Sequence, residues 1–265
     1  SEGTLGIVTR AVLRLQPPTP SEQTAMVACP SFEALTGLLS RMGKALGGSL
    51  GAFEVMWQNH YRLLTETLGR HNPPIATEHP FYVIIESLGS DAERNATQFR
   101  EALESALAQE LIVDAVIAQS STQRDGLWAI REDIEGLIQG LAPLFTFDVS
   151  LPIAEMQRYT DELEAQLTQR WPDARLVVFG HLGDGNLHIS VSAGSAEVSV
   201  RREVEAMVYQ PLATLGGSIS AEHGIGLEKR PWLSTCRSAA EMELMQTLKH
   251  ALDPHRLLNR GKILS

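Results

Sequence analysis

The stretch Gly180-His181-Leu182-Gly183-Asp184-Gly185-Asn186-Leu187-His188 lies between two runs rich in β-branched and apolar residues, Leu176-Val177-Val178-Phe179 and Leu187-His188-Ile189-Ser190-Val191-Ser192. Both runs read as short strands. Asp184-Gly185 is the dipeptide of a two-residue hairpin loop, and this turn role accounts for Asp184. With the loop placed there, Leu182 pairs with Leu187 and His181 stands opposite His188, Cβ atoms roughly 4.5–5.5 Å apart. Alternation then puts Phe179, His181, His188, Ser190 and Ser192 on one face, and Val178, Gly180, Leu182, Leu187, Ile189 and Val191 on the other. The second set reads as core. The first reads as the lining of a site in which one divalent ion bridges two imidazoles.

Outward from this hairpin, which is antiparallel by necessity, long helical patterns alternate with single strands. Strands are expected at 24–28, 51–56, 81–86, 114–118, 145–151 and 217–221. Helices are expected over 31–46, with Ser31 as N-cap and Gly47-Gly48 as stop, and over 58–68, 94–109, 122–137, 153–170, 196–215 and 239–252. The β-α-β-β-α-β rhythm predicts an α+β fold, an antiparallel sheet covered by helices and built of ferredoxin-like halves. Pro17, Pro18 and Pro20 break the chain, because prolines deny ladder hydrogen bonds. Residues 1–15, with a strand expected over 7–15, therefore read as the end of another domain, and 16–265 as the main one. The opening Ser1-Glu2-Gly3-Thr4-Leu5-Gly6 reads as if it began within a domain.

The 265 residues suffice for a sizeable core, and a net charge of −10 without a Lys/Arg cluster argues against a nucleic-acid surface. Two cysteines far apart, Cys29 and Cys236, make no disulfide framework and suit a reducing compartment, the cytoplasm by default. No apolar run is long enough to predict a membrane span.

A second stretch, Gly216-Gly217-Ser218-Ile219-Ser220-Ala221-Glu222-His223-Gly224-Ile225-Gly226, sets an acid and a base side by side at the end of a strand. Neighbours on a strand point to opposite faces, so Glu222 and His223 reach one site only if the backbone bends, which the glycines permit. Two histidines and a carboxylate form a common catalytic zinc set with a position left for water or substrate; iron and manganese also fit. Arg131, on the predicted 122–137 helix, has two readings. One is a solvated partner of Glu135 at i+4; the other is a fork for a substrate carboxylate. Lys229-Arg230 reads as surface charge, and His60, His71, His79, His250 and His255 as structural or exposed.

The segments Glu2-Gly3-Thr4-Leu5-Gly6-Ile7-Val8-Thr9, Gly180 to His188, Ser220-Ala221-Glu222-His223-Gly224-Ile225-Gly226 and Leu252-Asp253-Pro254 together resemble FAD-linked oxidases of the vanillyl-alcohol-oxidase type. The branch they resemble is the D-2-hydroxyacid dehydrogenases, with D-lactate dehydrogenase, D-2-hydroxyglutarate dehydrogenase and the glycolate oxidase flavin subunit. The resemblance implies a C-terminal substrate domain whose FAD-binding domain lies in cis or in trans; a homodimer is compatible with it. It implies metal ligands at His181, His188 and Glu222, with zinc the usual ion, and a base at His223. It implies substrate binding by Arg131 and Ser190, and FAD contacts from Glu2, Gly3, Gly6, Ile7 and Asn259. The implied reaction takes a small 2-hydroxyacid to a 2-oxoacid, with hydride passing to FAD. Thr146 stands where hydroxyglutarate-type members tend to carry lysine, Ser190 where they often have asparagine, and Arg260 where proline is usual, so the resemblance does not name the acid. Two other classes follow from the residues alone: a zinc-dependent hydrolase working without flavin, and a non-catalytic ferredoxin-like binding module.

Overall fold

The structure is a computed structural model and describes residues 1–264. Seven strands, β1 (Ser21–Cys29), β2 (Leu50–Trp57), β3 (Phe81–Gly89), β4 (Asp114–Ile117), β5 (Phe145–Ser150), β6 (Arg175–His181) and β7 (Asn186–Ser192), form one sheet in the order β4-β1-β3-β2-β6-β7-β5. Every neighbouring pair is antiparallel. The helices are α1 (Phe32–Leu46), α2 (Gln58–Arg62), α3 (Ala92–Ala108), α4 (Ser121–Glu132), α5 (Ile134–Leu141), α6 (Ile153–Arg170), α7 (Val198–Tyr209), α8 (Leu233–Cys236) and α9 (Ala239–Leu252).

The ferredoxin-like halves are present. β1-α1-β2-β3-α3-β4 gives the order 4-1-3-2, and β5-α6-β6-β7-α7 repeats its 1-3-2 part with three strands. The halves meet where β2 pairs with β6, with Glu54 opposite His181. The expected strand over 217–221 is reduced to one bridge, Ser150 to Ser218. The ladder stops there because the amides that follow turn toward Asp148 instead.

Strand alternation feeds two cores. Ala25, Val27, Val55, Val83, Val149, Val178 and Ile189 pack under α1, α3, α6 and α7. Met26, Met56, Tyr82, Ile84, Val177 and Phe179 face α2, α4 and α5 on the other side. Local signals fix the helix ends. Ser31 Oγ accepts the Ala34 N–H at 3.1 Å to start α1, and Gly47, with φ at +54°, ends it.

Several expectations need correction. The hairpin register is offset by two residues: Phe179, and not His181, lies opposite His188. Leu182–Asp184 form a 3-10 turn closed by Gly185 at φ +71°. The ladder with β7 ends at Phe179, while β6 runs on through His181 against β2 on its other edge. At Gly180 a Cβ would stand 2.3 Å from Asn186 O, so only glycine fits this crowded departure. An offset of two preserves the faces, so the His181 and His188 rings still share a side, 5.3 Å apart between centroids.

The strand expected over 7–15 is absent. Residues 6–20 carry no ladder, and Ile7, Val8, Val12, Leu13 and Leu15 stand largely exposed. β-propensity without a partner strand does not make a strand. The 58–68 helix changes from α to a π turn at Leu63–Thr67. The 122–137 helix divides at Asp133, whose carboxylate accepts the Gly136 N–H at 2.8 Å and so caps α5. The last helical turns expected up to 215 are 3-10, beginning at Gln210 just before Pro211. Among the described residues no helix is long and apolar enough to cross a membrane.

Candidate metal and substrate site

The site forms on the face shared with α4 and α5, where the two halves meet. β6 brings His181, β7 brings His188 and Ser190, α4 brings Arg131, and the loop after the Ser218 bridge brings Glu222 and His223. All of these line one cleft of about 800 Å³. His181 Nε2 lies 3.5 Å from Glu222 Oε1, and His188 Nε2 lies 3.7 Å from Glu222 Oε2. The His223 ring stacks beside that of His188, centroids 5.7 Å apart at 22°. The bend that the glycines allow is therefore made: Gly224 and Gly226 have φ of +78° and +55°, and Glu222 and His223 reach the same site.

Behind each histidine stands a carboxylate that sequence reasoning missed. Glu54 Oε1 is 2.7 Å from His181 Nδ1, and Asp148 Oδ1 is 4.0 Å from His188 Nδ1. Both imidazoles thus face an acid with Nδ1 and offer Nε2 to Glu222. At His181 the 2.7 Å contact is a hydrogen bond of the kind by which an outer carboxylate fixes the tautomer and orientation of a metal-binding histidine, whereas the 4.0 Å separation at His188 is an electrostatic contact only. The donor set suits a divalent ion: two donors on one tetrahedral zinc stand about 3.3 Å apart at bond lengths near 2.0–2.1 Å, close to the two histidine–glutamate separations. The group whose ligand-type atoms all lie within 4.8 Å of one another is Asp148, His188, Glu222 and His223, without His181. Of these, Asp148 is fully buried, with Oδ2 taken up by the protein's own donors and Oδ1 without a hydrogen-bond partner.

Asp148 Oδ2 accepts the backbone N–H groups of Ala221, Glu222 and His223 at 3.0, 2.9 and 2.8 Å, and the Ser220 hydroxyl at 3.2 Å. Lys229 Nζ stands 3.4 Å away and donates to Asp148 O at 3.0 Å. Burial alone would raise the Asp148 pKa, but the His223 and Glu222 amides and the Lys229 charge hold it down at about 2. Lys229 is consequently a buried partner of the site, which corrects its reading as surface charge. Beyond Gly224, the Glu2 carboxylate takes up the loop, accepting the Ile225 and Gly226 N–H groups at 2.6 and 2.8 Å.

Arg131 does not pair with Glu135. It is 7 % exposed, donates from Nη2 to Glu54 Oε2 at 2.9 Å and lies over the Phe179 ring at 4.4 Å. Burial lowers its pKa, against the opposing effect of Glu54. Part of its fork is therefore spent on Glu54, while its buried Nε has no partner. Glu54 ties Arg131 to His181. Burial, with Arg131 and His181 nearby, depresses the His188 pKa to about 4, keeping the ring neutral as a metal ligand must be. His60, read as structural, is fully buried against Phe179 with no partner at either ring nitrogen, and burial lowers its pKa to about 3.

Of the residues expected near a flavin, Glu2 and Asn259 act within the chain: the Asn259 amide donates to Glu2 O. Gly3, at φ +70°, and Gly6 have open space where a Cβ would stand, and Ile7 is exposed.

Residues 19–263 match the model of the C-terminal domain of FAD linked oxidases, and the chain belongs to that family. It is 40% identical over 269 residues to a D-2-hydroxyglutarate dehydrogenase of Xanthomonas citri, covering 99% of this chain and 56% of that protein. It is 33% identical to a putative mitochondrial D-lactate dehydrogenase of Schizosaccharomyces pombe, covering 97% of this chain and 51% of the other. The chain thus spans about half the length of these curated relatives. Its fold is similar to that of alkyldihydroxyacetonephosphate synthase, with a TM-score of 0.64 at 14% identity, over 97% of this chain and 48% of that one.

Proposed function

We propose that this chain is the substrate- and metal-binding half of an FAD-dependent dehydrogenase that takes a 2-hydroxyacid to a 2-oxoacid. The observation that carries the reading is the pair of carboxylate-backed histidines converging on Glu222, with a third histidine stacked beside them. His181, His188 and Glu222 would hold the metal, zinc by donor type. A divalent ion supplies Lewis-acid polarisation of the substrate hydroxyl, and FAD, on the partner half in cis or in trans, supplies the hydride acceptor.

The chain's own residues do the rest. His223 takes the hydroxyl proton on an imidazole nitrogen while the C2 hydrogen departs with its electron pair. Asp148 holds the His223 backbone, so the ring is aimed before substrate arrives. Arg131 supplies the positive charge facing the substrate carboxylate, kept in place by Glu54 and Phe179. Ser190, on the cleft floor, is the substrate-facing hydroxyl. Gly3, Gly6 and Ile7 leave backbone open for a flavin to approach. Two free cysteines, one of them buried, support a reducing compartment such as the cytoplasm.

Dye-linked oxidation of lactate, glycolate, malate and 2-hydroxyglutarate by the chain joined to its FAD half tests the proposal. Flavin-dependent turnover of a 2-hydroxyacid, lost on chelation, is expected. Chelation-sensitive hydrolysis by the chain alone, with no flavin, would contradict it.

A further inference from the structure

The cleft that holds the histidines is also lined by α5. Ile134 and Ile138 stand one turn apart on that helix, 48% and 52% exposed. With Leu137, Leu144 and Trp128 they make the apolar part of a cavity wall that also carries Arg131, His223 and the three candidate ligands. Exposed isoleucines lining a concavity mark a surface meant to be covered. Among the described lining residues Arg131 is the only lysine or arginine, and its Nη2 is already on Glu54. Apart from Glu54 and the candidate ligand Glu222, the other charged lining residues are Glu86 and Glu132, while Thr146 and Ser190 are neutral. Glu86 is held by the Thr24 hydroxyl at 3.0 Å and the Trp128 indole N–H at 3.1 Å, both donating to Oε2, as suits a carboxylate.

We infer that the acid bound here is a monocarboxylate with an extended apolar side chain, which lies along Ile134 and Ile138. The inference rests on the reading of the site as a 2-hydroxyacid site and deepens it. A distal carboxylate in that position would meet two glutamates and no free cation, so it is desolvated without a partner. A methylene chain, by contrast, is removed from water against isoleucine. Each buried CH2 raises kcat/KM by roughly fourfold.

The test is the kcat/KM series for the complete FAD-loaded enzyme on lactate, 2-hydroxybutanoate, 2-hydroxyhexanoate, 2-hydroxy-4-methylpentanoate and 2-hydroxyglutarate. Values should rise along the monocarboxylate series, with 2-hydroxyhexanoate roughly 50-fold above lactate for three buried methylenes and well above 2-hydroxyglutarate. In Ile138→Ser the ratio of 2-hydroxyhexanoate to lactate should fall, and in Ile138→Arg the ratio of 2-hydroxyglutarate to 2-hydroxyhexanoate should rise. A flat or falling series, or 2-hydroxyglutarate as the best substrate, would overturn the inference and leave the dehydrogenase reading standing. Unchanged ratios in both variants with weakened FAD retention would assign the isoleucines to the other half, and overturn it too. Turnover of none of the five acids would remove the dehydrogenase reading itself.

Discussion

Asp148 Oδ2 accepts the backbone N–H of His223 at 2.8 Å, so the residue that positions the proposed base lies on β5, 75 residues earlier in the chain. The same oxygen takes two further amides and faces Lys229. Asp148→Asn removes the charge, weakens the amide bonds and leaves a buried ammonium without its counter-ion. The expected cost is about 3–5 kcal/mol in urea unfolding. Adding Lys229→Met should return part of it, because the stranded charge is then gone.

The titration of Asp148 sets an acid limit. Its folded pKa of about 2 lies below the ordinary 3.8, so the stabilisation it gives is fully present above 3.8 and is lost as pH falls through about 2. His60 acts in a higher window. Its folded pKa is lowered from 6.5 to about 3 because a buried imidazole resists charging. Between those values the unfolded chain binds the extra proton, so stability declines as pH drops below about 6.5. Urea midpoints measured from pH 7 down to pH 4 should show this slope, and His60→Phe should flatten it.

Glu54→Gln tests the shared carboxylate. His181 loses an ionised partner at Nδ1 and Arg131 loses its counter-ion. Zinc affinity, read by competition with a chromophoric chelator, should fall about 10–100-fold. Affinity equal to wild type would make Glu54 a partner of Arg131 alone.

Gly224→Ala tests the far end of the loop. The residue sits at φ +78°, and an added Cβ would stand 2.7 Å from the Glu2 carboxylate that holds the Ile225 and Gly226 amides. A left-handed non-glycine residue costs roughly 1–3 kcal/mol, and the displaced carboxylate adds to it. The unfolding midpoint should drop, and kcat of the complete enzyme should fall more than KM rises.

The sequence carried the helices with clear caps, the antiparallel sheet and the identity of the converging residues. The hairpin at 180–188 shows why the register was less legible. Asp184-Gly185 suggested the tightest loop, but Leu182–Asp184 fold into a 3-10 turn and the ladder ends with Phe179 opposite His188. The dipeptide alone does not distinguish a two-residue loop from this longer one. Glu54 and Asp148 were overlooked for a related reason. Each is a lone acid inside an apolar strand, Phe53-Glu54-Val55-Met56 and Phe147-Asp148-Val149, a pattern that marks a buried charge requiring a partner. Lys229 gave no such signal, because a lysine beside an arginine in a loop looks solvated until the fold brings Asp148 beneath it.

The most direct test mixes the complete FAD-loaded enzyme with a 2-hydroxyacid without oxygen and follows the yellow flavin absorbance in a single turnover. Wild type should bleach rapidly. Removing the metal, or replacing His223 by asparagine, should slow bleaching by at least about 100-fold while the flavin stays bound. Bleaching at the wild-type rate in both the metal-free enzyme and the His223→Asn variant would contradict the account.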